Sequence, residues 1–544
     1  MSKIGHNQTQ LGMQCNLSKS HKTMLAISNF KSLKRLLLLF SAALASAGFA
    51  QNNYVAFELN RENNWDQLIT EDVNGDGAKD IIFAHFDPNI GRELRIHHQQ
   101  SDGNFTSNPQ RIEIKTEIIA VGFADLRTDP GKELILLANS GVFSLSTAIE
   151  GYAGNLKQLF QWDLIAAIPD LAQVQFMQNI QDINGDGHVD LLLPGETSYG
   201  LFLGTGNEEF ELAADLQTTN DNLTAVQRNY QESALNASIG INPDKGVVVE
   251  LNTSTTTPFS GFIELWEPKS TESRALLRTE NWMPTAVVSE LNGDNLQDII
   301  YLNIDDEGLG QLNIHYQNDD QGYTSQPDWQ ASMETRGDMR LVDIDKDGRL
   351  DLLRLTGDGS DWDARFFLNQ NGEFNLQQPN QIMRFSGYDV RLNFIQLSLA
   401  SKPVLNVSFY TIPVVDAIRN ASIKRTQLLY SAEDAETGQV FARRPSSSLE
   451  ESFSATNVRG LSEQMSLRFD VDGDGASDAM YITENGTLAA KKINAQLQIA
   501  EQPFWEYVSP RTVFEFEVTS LNQDGIPDLV LRHGTTTTLL VATP

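Results

Sequence analysis

Cysteine is almost missing from this 544-residue chain, with Cys15 the only one. Everything after that position is therefore without disulfide scaffolding or thiol chemistry. Histidine is scarce too. Past residue 50 only His85, His97, His98, His188, His315 and His533 remain, and no HExxH, GxSxG or phosphate-cradling glycine loop occurs. Positive charge is short, with 40 Lys and Arg against 72 Asp and Glu, a formal −32. Such a field makes nucleic acid and anionic membranes poor partners. After residue 50 no apolar run is long enough for a transmembrane helix.

The first 50 residues read as a targeting segment. Lys31, Lys34 and Arg35 precede an apolar run from Leu36 to Ala47, and Gly48-Phe49-Ala50 resembles a small-residue cleavage site before Gln51. The n-region is unusually long, which makes Met24 an alternative start. No cysteine follows the apolar run, so a lipid anchor is not expected, and the mature protein is expected in the periplasm or outside the cell. The leader carries six basic residues and no acids, and its removal takes the net charge to −38.

What is abundant is one acidic loop, repeated six times between short hydrophobic strands. The copies read DVNGDGAKD from Asp72, DINGDGHVD from Asp182, ELNGDNLQD from Glu290, DIDKDGRLD from Asp343, DVDGDGASD from Asp470 and SLNQDGIPD from Ser520. Oxygen side chains stand at positions 1, 3, 5 and 9, usually with glycine at position 6. Ca²⁺ takes six to eight hard oxygen ligands, and a tight loop aims every second side chain inward.

The candidate ligands of the first three loops are Asp72, Asn74, Asp76 and Asp80; Asp182, Asn184, Asp186 and Asp190; and Glu290, Asn292, Asp294 and Asp298. Those of the last three are Asp343, Asp345, Asp347 and Asp351; Asp470, Asp472, Asp474 and Asp478; and Ser520, Asn522, Asp524 and Asp528. Main-chain carbonyls at position 7 complete each shell, from Ala78, His188, Leu296, Arg349, Ala476 and Ile526. The acidic closer at position 9 is followed at once by aliphatic residues such as Ile81 and Ile82, so these loops join strands, unlike an EF-hand. Affinity should follow carboxylate count, and the Ser520 loop, with only Asp524 and Asp528, should empty first. Five or six calcium ions acting as structural staples are expected, with an ordering role for a partner surface as the sharper alternative.

A second element follows the loops: LNQNGEF at Leu368–Phe374, LGTGNEEF at Leu203–Phe210, HHQQSDGNF at His97–Phe105 and HYQNDDQGY at His315–Tyr323. With both elements in place, the chain resembles the FG-GAP and VCBS repeat proteins, whose units build integrin-α-type calcium-binding β-propellers. The resemblance covers nearly the whole chain after residue 50. It implies an all-β ring of four-stranded blades.

Successive loops lie 53, 57, 108, 53, 127 and 50 residues apart when GFADLRTDPGKELILL, at Asp125, is counted as a degenerate copy. The double gaps call for two silent units, ASIGINPDKGVVVEL near Ser238 and FIQLSLASKPVLNVSF near Gln396. That gives nine units, with eight or seven blades as alternatives. In the degenerate loop Arg127 stands at position 3, where its guanidinium should pair with carboxylates in place of a metal. The last unit has only three strands, and YVAFEL at Tyr54–Leu59 is a spare strand expected to close the ring. His97 and His315 occupy equivalent third-strand places, which reads as repeat inheritance.

Trp65, Trp282, Trp329 and Trp505 precede first strands, and Trp362 falls in a second-to-third connector. All five are therefore candidates for a ligand face opposite the acidic loops, against packing between blades as the plainer reading. Three functions stay open. The first is a monomeric binding or adhesion module for a glycan or an extracellular protein. The others are a secreted polysaccharide lyase-like enzyme on the same ring, which the resemblance allows, and an assembly scaffold for another exported protein.

Overall fold

The structure is a computed structural model. It describes residues 53–60, 68–128, 130–166, 174–177, 180–218, 286–304, 309–334, 337–358, 360–398, 401–411, 422–433, 439–454, 465–483, 487–522 and 524–543, and four two-residue strands between 241 and 276. The leader, Trp65, Asp129, Trp282 and most of the silent unit near Ser238 lie outside the described residues.

Strand, acidic loop, strand is an antiparallel hairpin, and two further strands complete each unit. In blade 5 the four strands are Asp338–Val342, Asp351–Asp358, Asp361–Phe367 and Gln381–Ser386, paired in sequence order. Blades 1 to 4 begin at Leu68, Ile118, Ile180 and Val287, and blades 6 to 8 at Tyr388, Met465 and Glu515. Eight such sheets form an all-β propeller ring; blade 2 adds a short parallel strand, Gln175–Phe176. Among the described residues no helix is long and apolar enough to cross a membrane.

Second strands are buried on both faces, as in the wholly buried Glu133–Ala138, because each blade lies between two others. They therefore read as continuous apolar runs. Fourth strands such as Gln381–Ser386 alternate buried and exposed residues, as an outer rim should.

The core is a series of apolar seams between neighbouring blades. Ile82 and Leu94 of blade 1 meet Val121 and Leu136 of blade 2, and the series continues around the ring to Leu521, Val530 and Leu539 of blade 8 against Ile81 and Phe83 of blade 1. The N-terminal strand Asn53–Asn60 pairs antiparallel with Thr536–Thr543, with Val55 opposite Val541, so it completes blade 8 as its sequence implies.

The ninth unit, near Ser238, lies largely outside the described residues. Tyr199 and Leu201 of blade 3 pack directly on Val288 and Tyr301 of blade 4, and the Tyr301 hydroxyl donates to the Gln217 carbonyl at 2.8 Å. Blades 3 and 4 are therefore neighbours, and the described residues make eight blades. The silent unit near Gln396 is real, forming the first hairpin of blade 6 from Tyr388–Ile395 and Val404–Thr411.

Candidate metal centres

Each acidic loop turns because its first side chain caps its own backbone. Asp72 Oδ1 accepts from the Gly75 amide at 2.8 Å, and Oδ2 from Gly77 at 2.9 Å. Asp182 repeats both contacts at 2.7 and 2.8 Å, and so does Asp470. Gly77 sits at φ 90°, which a Cβ would strain; in the Glu290 loop Asn295 takes that place at φ 67°. The position-5 carboxylates, such as Asp76, accept the amide of position 7.

The ninth residue has a second task. Asp80, Asp190, Asp298, Asp351, Asp478 and Asp528 are all at most 1 % exposed. Asp351 accepts from Ile344 at 2.9 Å through one oxygen and from Asn369, past the end of the third strand, at 2.8 Å through the other. Asp80, Asp190, Asp298 and Asp528 bridge the same two segments. The closer thus ties the acidic loop to the end of the third strand, where the second sequence element begins in blades 1, 3, 4 and 5, which explains why the two elements occur together there.

Charge crowding is greatest in the Asp343 loop. Carboxylate oxygens of Asp343, Asp345 and Asp351 lie within 4.8 Å of one another. Asp345 Oδ1 is shielded from solvent and accepts no hydrogen bond. Burial raises the pKa of all three groups, and the neighbouring carboxylates add to it. An orphaned buried oxygen beside two further carboxylates is the donor set that a hard divalent cation requires. These three carboxylates could hold a metal ion, beside Asp347 and the Arg349 carbonyl of the expected shell. The Arg349 side chain pairs with Asp347 and donates to Asn371 at 3.0 Å, a contact outside the loop that its sequence did not signal.

Asp470, Asp472 and Asp478 form a second group with oxygens within 4.8 Å of one another. Burial pushes Asp298 and Asp478 up to about 7, and Asp528 up to about 6.

The degenerate loop of blade 2 keeps acids at positions 1, 5 and 9, Asp125, Asp129 and Glu133, with Arg127 at position 3. Glu133 replaces the closing aspartate and accepts the Leu126 amide at 3.0 Å. Arg127 lies 3.8 Å from Glu133 and 2.9 Å from Glu208, so the expected pairing with carboxylates is present. Glu208 belongs to blade 3, and its role was invisible in the sequence because it lies 81 residues away.

His97 and His315 do the same work. Each ring contacts a main-chain carbonyl nine residues on, Thr106 or Thr324, and each stacks on a second-strand aromatic, Phe83 or Tyr301.

The described tryptophans do not share one face. Trp329 opens the fourth strand of blade 4 opposite Ile314, and Trp505 opens that of blade 7 opposite Ala490, so both stand at the acidic-loop end. Trp362 pairs with Gly357 at the far end of blade 5. The alternation of strand direction explains this: an antiparallel fourth strand begins where the acidic loop lies. Trp329 meets Phe374 edge-on at 6.1 Å, Trp505 meets Tyr54 at 6.2 Å, and Trp362 packs into the seam between blades 5 and 6. Each therefore contributes to packing between blades.

No family model matches the sequence, and no curated protein matches it. Among solved structures, the chain is similar to BBS1N in its complex with ARL6DN, at 7 % identity and TM-score 0.35, over 91 % of this chain and 98 % of that one. It is also similar to an Agrocybe aegerita lectin that recognises non-reducing terminal N-acetylglucosamine, at 12 % identity and TM-score 0.32, over 74 % and 96 % of the two chains. A third likeness, to the Photorhabdus luminescens Tc holotoxin pore, has 11 % identity and TM-score 0.26, over 89 % of this chain and 20 % of that one. Likenesses this distant carry no functional weight.

Proposed function

We propose that this chain is an exported calcium-binding propeller of the FG-GAP/VCBS type that works as a binding or adhesion module for a glycan or protein partner. The observation that carries the calcium reading is the Asp343, Asp345 and Asp351 cluster with its orphaned Asp345 oxygen. Calcium would relieve the repulsion there and rigidify the turn between the first two strands of the blade. Blades 1, 3, 4 and 8 offer related loops with fewer carboxylates, in keeping with graded affinity. The propeller supports the module reading, because its loops and turns at either end of the ring are free to vary while the blades stay fixed.

The test is bound calcium counted by elemental analysis on residues 51–544, with melts in calcium and in chelator, and glycan and protein binding measured in both. Bound calcium with a higher melting temperature, and ligand capture that chelation weakens, is the expected result. A chain that holds no calcium and melts identically in both buffers would overturn the reading.

A further inference from the structure

In the Asp470 loop the cation position already holds a protein cation. Lys492 Nζ lies 2.7 Å from Asp472 Oδ1, 2.7 Å from Asp474 Oδ2 and 3.2 Å from Asp478 Oδ1. These are three of the four carboxylates that would ligate a metal. The ammonium donates to Asp472 and Asp474, while Asp478 Oδ1 lies within ion-pair distance but accepts no hydrogen bond. The fourth, Asp470, is occupied with the amides of Gly473, Asp474 and Gly475. The ammonium also sits 4.7 Å from the centroid of the Phe504 ring, which favours a cation.

Strand register explains how the lysine arrives there. Lys492 pairs directly with Asp478, so it ends the third strand opposite the loop closer. One step beyond the registers of blades 3, 4, 5 and 8, the same place is held by Leu203, Tyr316, Leu368 and Val541, none of them a cation. In blade 1 it is His98, 3.0 Å from Asp80. The Asp343 and Asp470 loops carry four carboxylates each, yet in the first Arg349 pairs with Asp347 alone while the second encloses an ammonium beside three of its four.

We propose that Lys492 is the resident counter-cation of the Asp470 loop, which folds without metal and admits calcium only when the lysine swings out. The second half rests on the calcium reading of these loops; the first does not. Calcium cannot gather six or more oxygens while the ammonium occupies their centre. Its apparent affinity is therefore reduced by the fraction of chains with the lysine displaced. The Asp470 loop then behaves as the arginine-paired loop of blade 2 does, despite having the most acidic sequence.

The experiment compares the parent with Lys492→Met and Lys492→Arg, by melting in chelator and by equilibrium dialysis against calcium alone. In chelator Lys492→Met should melt several degrees below the parent and Lys492→Arg close to it. A Met variant that folds only in calcium is the same result in stronger form. At low free calcium Lys492→Met should bind one more ion per chain than the parent, about tenfold or more tighter at that loop. Equal melting of Lys492→Met and parent in chelator would overturn the proposal. So would equal calcium number and affinity in chains that do bind calcium. A destabilised Lys492→Met with no calcium bound to any chain would remove the calcium reading and leave the counter-cation assignment standing.

Discussion

Val55 stands opposite Val541 in the strand pair that joins the two ends of the chain. Further along that strand Leu59, opposite Thr537, is 2 % exposed and packs with Val530 and Leu539 of blade 8 and Ile81 of blade 1. A single side chain thus holds both the last blade and the seam to the first.

Leu59→Ala should destabilise the protein by about 2–5 kcal/mol, as for a buried leucine truncated in a packed core. Urea titration measures this directly. A loss no larger than that of an exposed control such as Leu309→Ala would mean that the seam contributes little.

Asp345→Asn should act in opposite directions in the two buffers. In chelator it removes a repelling charge from the Asp343 cluster and should raise stability by about 1 kcal/mol. In calcium it removes a ligand and should lower both stability and bound calcium. Paired melts check both signs, and a change of the same sign in both would argue against a cation there.

Calcium-free protein should become less stable as pH rises from about 4 to about 7. Burial lifts Asp298 to about 7 and Asp528 to about 6 from an ordinary 3.8, so the folded state holds protons that the unfolded chain has already released. Stabilisation from these protons is complete below the unfolded value and is lost as pH climbs through the folded one. The expected loss is on the order of a few kcal/mol, read from denaturant midpoints across that window. Saturating calcium should flatten the slope, because the metal favours the ionised form.

Trp362→Ala should cost stability, about 1–3 kcal/mol, since the ring packs over Gly357 and its Nε1 donates to the Gly387 carbonyl at 3.0 Å. Denaturant midpoints are the check. An unchanged midpoint with lost ligand capture would return this tryptophan to the ligand face.

The repeat was legible because blades bury their second strands on both sides, leaving runs such as Glu133–Ala138 between acidic turns. Ring closure was legible from the spare apolar face of Val55, Phe57 and Leu59. The blade count was legible only as a range that included eight, because strand, turn and strand in a sequence do not reveal that Tyr199 and Tyr301 already touch, 4.8 Å between ring centroids. That Trp329 and Trp505 stand at the acidic-loop end was not legible, because sequence position near a first strand does not say at which end the fourth strand starts. Lys492 escaped notice for a related reason. Loop spacing identifies the acids, but only register brings residue 492 opposite residue 478.

The strand pairing of residues 53–60 with 536–543 also sets a timetable. During synthesis the growing chain is an open arc whose first and latest blades each present one unmatched apolar flank. Neighbouring blades can dock as they appear, since their contacts are close in sequence, but the final clasp has the longest separation in the molecule and must come last. Until residue 543 has emerged, the first strand made has no partner. For that interval Phe57 and Leu59 lack the seam with Val530, Leu539 and Ile81 that covers them in the closed ring.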